Sequence, residues 1–245
     1  MNKGHLPPFM RLMALVAVAC AGLAPMGCDK ENPVDEDESF LTTDLFPLAV
    51  GRILVFTTYD LDAQTGQKVE STVHRDVSYF QAAVTIGGRN AFRLIDSIYA
   101  PQGTIERIDT SYVAVNNGDL SLWEGGGGGG ENEWFDFVQR SAGLNNEYII
   151  RQYQETEDGV TINVTIKGKF YDKESVTVPI GTVDAYKLEI KVSIQAGTFT
   201  SDWIDQYFYF AEGYGPVRMT FPSQSIPGTT EKTSGEESLL VSKNF

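Results

Sequence analysis

Along most of this chain apolar and polar residues alternate one for one. The clearest case is "AYKLEIKVSIQ", where Tyr186, Leu188, Ile190, Val192 and Ile194 fall on one side. Lys187, Glu189, Lys191, Ser193 and Gln195 fall on the other. Successive side chains of a strand point to opposite faces, so this segment reads as a strand with one dry and one wet face. "VTINVTIK" repeats the scheme through Val160, Ile162, Val164 and Ile166. A wet face points to an antiparallel sheet, because parallel sheets are covered on both sides. Further strands are predicted over 51–60, 68–79, 91–99, 105–115, 119–123, 134–139, 147–154, 199–210, 217–221 and 237–241. "NNGD" (116–119) and "EDGV" (157–160) supply hairpin turns, since Asn and Gly accept positive φ cheaply. Beyond residue 44 no window holds a helical period over three turns, and a short helical piece fits only near 79–84. The fold class is all-β or nearly so.

One stretch breaks the rule of a wet face. In "WIDQYFYF", strict alternation puts Trp203, Tyr207 and Tyr209 on one side and Ile204, Phe208 and Phe210 on the other. Both faces then need cover. Either the strand is central to two layers, or one of its faces lines a cavity in a curved sheet. The second arrangement makes Trp203, Tyr207 and Tyr209 candidate ligand-binding residues. Trp123 and Trp134 join them because they flank "GGGGGG" (125–130), a flexible loop between strands. Their other role would be to pin the ends of that loop in the core.

Three segments carry a resemblance. "FPLAVGRILVF" resembles the Pro-Leu-x-x-Gly opening of bacterial envelope lipoproteins built on curved antiparallel half-barrels. Leu54 stands where that pattern often has Trp, and Phe56 keeps the second ring. "VPIGTVDAYKLEI" is similar to their turn-and-strand motif through Pro179, Gly181, Asp184, Ala185, Tyr186 and Lys187. "YFAEGYGPVRMTF" is similar to their closing hairpin through Gly213, Gly215, Val217 and Arg218. The resemblance implies a strongly curved sheet, an open half-barrel of roughly ten strands. It extends distantly to carriers of the LolA/LolB type, which hold acyl chains inside a half-barrel. It carries across no functional residue.

Ahead of residue 45 the alternation gives way to two other patterns. Residues 12–24 form an uncharged apolar run preceded by Lys3 and Arg11, the pattern of a secretory signal. The run is shorter than the roughly 20 apolar residues of a membrane-spanning helix. It ends near Cys28, and "PMGC" resembles a lipobox, with Gly27 as the small residue and Pro25 departing from the usual Leu. Cys20 competes for the same role, but choosing it leaves only Leu12 to Ala19 as apolar core. The expected domains are therefore a lipoprotein signal peptide (1–27), an acidic disordered tether (28–44) beginning at an acylated Cys28, and a single β domain (45–245). The tether holds Asp29, Glu31, Asp35, Glu36, Asp37 and Glu38 against Lys30 alone. Such a segment cannot bury enough surface to order itself, and its like charges extend it.

Charge and cysteine count narrow the chemistry. Without residues 1–27 the chain has 17 basic and 33 acidic side chains, a net charge of −16. Nucleic acid is a poor partner for that surface, which lacks the Lys and Arg clusters that phosphate contacts require. With Cys28 acylated no thiol remains for catalysis, metal or disulfide. His74 is the one histidine beyond the signal; it is expected on an exposed strand face, with no nucleophile-elbow sequence to use it. "DLDAQTG" (60–66) begins like a calcium loop but lacks the terminal Glu, and it reads as a turn. The six-glycine run lacks the Lys and Ser/Thr of a phosphate loop. The expectation is a non-enzymatic, lipid-anchored envelope protein without cofactor or metal, in the outer membrane by its acidic tether. Its partners are the membrane through Cys28 and either an apolar or amphipathic ligand or another envelope protein. The alternative is a structural or adhesive surface module with a solid core.

Overall fold

The alternation becomes strands almost everywhere it occurs. A computed structural model describes residues 40–41, 44–124, 132–157, 160–225 and 232–245. The signal segment, Cys28, the acidic run, the six-glycine loop and most of the "EDGV" turn lie outside the described residues. The first half of the chain gives β1 (Ile53–Leu61), β2 (Lys68–Ile86), β3 (Arg89–Tyr99), β4 (Ile105–Asn116), β5 (Asp119–Glu124) and β6 (Glu133–Val138). The second gives β7 (Glu147–Glu157), β8 (Val160–Val178), β9 (Gly181–Ala196), β10 (Phe199–Ala211) and β11 (Gly215–Phe221). A two-residue pair, β12 (Gln224–Ser225) with β13 (Lys232–Thr233), precedes the last strand, β14 (Gly235–Lys243).

Twelve strands form one antiparallel sheet in the order β6-β5-β4-β3-β2-β1-β14-β11-β10-β9-β8-β7. The order has a simple logic. Each half of the chain meanders away from the middle, and β14 returns to join β1 to β11. The expected curved all-β sheet is therefore present, with twelve strands rather than ten. Its curl goes nearly to closure. The two ends meet through side chains: Tyr148 of β7 donates its hydroxyl to the Phe137 carbonyl at 3.3 Å, and Gln139 donates to the Ile149 carbonyl at 2.9 Å. Arg151 reaches Glu133 at 3.2 Å across the same seam.

Two features make the curl. The "NNGD" turn closes β4 on β5 with Asn117 and Gly118 both at positive φ, as that sequence predicts. The longest strands, β2 and β8, carry bulges between Phe80 and Ala82 and between Tyr171 and Lys173. An inserted residue bends a strand and raises its twist, so 19-residue strands can wrap a barrel rather than overshoot it. The bulge of β2 falls where a short helical piece was expected at 79–84; that stretch is strand throughout.

The inside of the barrel is filled at the end where the chain enters. Phe40, Leu45 and Phe46 are buried there, and Phe40 lies within the stretch expected as tether. Phe40 packs edge-on to Phe170 and Tyr186, with ring centroids 5.0 and 4.8 Å away. Phe46 meets Phe210 at 5.1 Å, and Phe137 of β6 meets Phe208 of β10 at 5.4 Å. Rings from different walls thus touch across the lumen. One void, between Phe46, Leu54, Phe80, Leu94 and Phe210, is about 20 Å³, room for about one water; a more open hollow of about 480 Å³ lies beside Phe46, against Ala83, Phe92 and Val115.

Candidate functional site

The five aromatic residues singled out by the sequence do not converge. The reason is one residue in β10. Trp203 pairs with Val192 and Gln206 pairs with Ile190, which leaves Asp205 without an opposite number. A single extra residue reverses the parity of everything before it. Trp203 therefore shares the inner face with Phe208 and Phe210, while Tyr207 and Tyr209 point outward above Glu189 and Lys187. Asp205 is itself buried, and burial raises its carboxyl above the usual range although the Gln206 amide donates to it at 2.9 Å.

Trp123 and Trp134 sit elsewhere, directly opposite each other on β5 and β6, with ring centroids 5.4 Å apart. The Trp134 indole N–H donates to the Ile86 carbonyl at 3.0 Å. Both rings press on Gly87, where any β-carbon would overlap the Trp123 ring. The pair clamps the tip of the β2–β3 hairpin, which is the anchoring alternative moved to a neighbouring turn. Arg89 lies over the outer side of Trp134.

A group of buried polar side chains occupies the inner face of the first half, and alternation alone conceals it. Thr58 lies opposite His74 and Ser238, and Ser78 lies opposite Asp96, which in turn faces Asp109. His74 is thus turned inward, not exposed as expected, with Nε2 3.6 Å from Asp76 Oδ1. Thr58 donates its hydroxyl to Asp76 at 2.6 Å and Ser78 donates to Asp96 at 2.5 Å. Burial pushes the Asp96 carboxyl up to about 7, against the Ser78 hydrogen bond and with help from the charges of Asp76 and Asp109. The Ser111 hydroxyl and one Asp96 oxygen have no hydrogen-bond partner among the described residues. Among those residues no set of three or more His, Cys, Asp or Glu is placed to hold a metal ion.

The outer face holds open space of its own. A groove of about 910 Å³ lies over β11 and β14, rimmed by the β1–β2 turn and by Thr177 from the end of β8. The β1–β2 turn is the stretch that begins like a calcium loop. Asp62 accepts from the Thr65 amide at 2.8 Å and the Gln64 amide at 3.1 Å, and the Thr65 contact holds its carboxyl below the ordinary range. On the groove floor Glu237 is buried and receives two cations, Arg218 at 2.6 Å and Lys68 at 2.7 Å. Arg218 also lies over the Tyr209 ring, and Lys187 over Tyr207 at 4.2 Å. Sequence reasoning missed this place because its parts come from four strands and a turn, each unremarkable alone.

No known protein family matches the chain, and no curated protein matches it. The barrel does have counterparts among solved structures. A candidate lipoprotein from Parabacteroides distasonis superposes with a TM-score of 0.50 at 16% identity, over 82% of this chain and 99% of that one. A candidate exported protein with a YmcC-like fold from Bacteroides fragilis gives 0.48 at 14% identity, over 82% and 98%. The likeness is one of fold.

Proposed function

We propose that the chain is a non-catalytic, lipid-anchored protein of the cell envelope that works from the outer face of a solid barrel. Cys28, after its apolar run, is the acylation site, and the outer membrane is the address. The run of acids up to Glu38 spaces the barrel from the lipid surface, and Phe40 after it is buried. The observation that carries the reading is the filled lumen. Phe137 and Phe208 meet across it, and the void beside Phe210 is about 20 Å³, whereas sites for small ligands span roughly 300–1,000 Å³; the hollow of about 480 Å³ by Phe46 and Phe92 is open to solvent rather than enclosed. Of the two expectations, ligand carrier and solid module, the packing favours the second, with an envelope partner or surface ligand met outside.

Two measurements test it. Cys28→Ser should abolish incorporation of radiolabelled palmitate and move the protein to the soluble fraction; continued labelling through Cys20 would overturn the anchor. Titration with the fluorescent fatty acid cis-parinaric acid should show no saturable binding. Saturation at one ligand per chain, weakened by substitution of inward-facing Trp203, would restore the carrier.

A further inference from the structure

We infer that the outer groove over β11 and β14 is a binding site for an acidic saccharide, a chain of sugars carrying carboxylates. The inference rests on the reading of the barrel as one that works from outside, and it assigns the ligand class. The first argument is charge. The chain carries −14 overall, yet the groove is lined by Lys68, Arg218 and Lys232 against the single acid Glu237. Glu237 spends its two oxygens on two cations, so the floor keeps a surplus positive charge before Lys232 is counted. On a surface that repels anions generally, this is a place that accepts one.

Unmet hydrogen bonds supply the second argument. Arg218 Nε and the Thr220 hydroxyl are shielded from water and have no hydrogen-bond partner among the described residues. Buried polar atoms are ordinarily paired, and one left alone costs about 1–3 kcal/mol. The two residues share the outer face of β11, two positions apart, and together offer an N–H donor and a hydroxyl that donates or accepts. The Gln67 amide on the rim supplies a further hydrogen-bond group, whereas the hydroxyls of Thr65, Thr177 and Ser223 already bond within the protein. Leu61, Pro222 and Leu239 add apolar lining. Lipid is a poor occupant, since the lining is mostly polar. A bare phosphate would engage the cations and leave the rim unused.

The test is calorimetric titration of the full chain with oligogalacturonate, maltoheptaose and inorganic phosphate. Oligogalacturonate should bind saturably, and Arg218→Gln should weaken it by roughly tenfold or more, the loss of one charged hydrogen bond. Lys232→Gln touches an exposed side chain outside the packed floor, so the fold survives it, and it should weaken binding by about threefold, as a solvent-exposed charge contact does. Maltoheptaose should bind at least roughly tenfold more weakly than oligogalacturonate. No binding by the parent protein, equal binding by both variants, or equal binding of maltoheptaose would overturn the assignment. Phosphate binding as tight as oligogalacturonate would overturn it too, reducing the site to a plain anion contact. None of these outcomes bears on the filled lumen, which the fatty-acid titration tests separately.

Discussion

The two halves of the barrel wall are built on opposite principles. The inner face of β8, β9 and β10 is a largely apolar stack, broken by the buried Gln206, that includes Val164, Ile166, Phe170, Tyr186, Leu188, Ile190, Val192, Phe208 and Phe210. The facing wall of β1 to β4 has Leu54, Phe56, Phe80 and Leu94 at the entry end but continues into Thr58, His74, Asp76, Ser78, Asp96 and Ser111. Both walls are equally buried. One is stabilised by apolar burial and ring contacts; the other must satisfy carboxylates and hydroxyls with one another, and does so incompletely. The comparison teaches where stability resides and where it is forgone.

Breaking the dry wall should have the largest effect. Phe210 touches Phe46, Phe170 and Phe208, so Phe210→Ala should destabilise the domain by about 3–5 kcal/mol in urea unfolding. The wet wall should respond with the opposite sign. Asp96 keeps its proton up to about pH 7 when folded, whereas an unfolded carboxyl releases it near 3.8. Between those values the folded state holds a proton the unfolded state has lost, so stability falls as pH rises through that window and levels off above it. Asp96→Asn, a neutral match in shape, should raise stability at pH 8 by up to a few kcal/mol and flatten the acid-to-neutral slope. A destabilised Asp96→Asn at pH 8 would mean the carboxylate is used when charged.

Smaller effects sharpen the contrast at the surface. Trp134→Phe removes the indole bond to the Ile86 carbonyl and should cost about 1 kcal/mol, read as faster amide exchange at the β2–β3 tip. Tyr207→Ala removes only an outward ring under Lys187 and should cost less than about 1 kcal/mol by the same unfolding assay.

The same contrast explains what the sequence discloses. On β9 the apolar residues are also the inward ones, so period two gives strand and core face together. On β2 the rule inverts: Val73, Val77 and Tyr79 look like the core face, yet His74, Asp76, Ser78 and Phe80 point inward. Hydrophobicity marks the inside only where the inside is apolar. β10 fails for another reason, since its composition is right but the bulge at Asp205 shifts the phase, and no local residue type announces that. The outer groove was illegible in a third way: Lys68, Arg218 and Glu237 are far apart in the chain and meet only because β14 returns between β1 and β11. The expected strands at 68–79 and 160–167 continue to Ile86 and Val178 because bulges let them bend.

The claim beneath all of this is that the barrel is full. Native mass spectrometry of the protein released gently from its own envelope tests it most directly. The account predicts the mass of the polypeptide with its covalent acyl groups and nothing more. A second lipid-sized mass, stoichiometric and retained in Arg218→Gln, would place a ligand within the wall and contradict it.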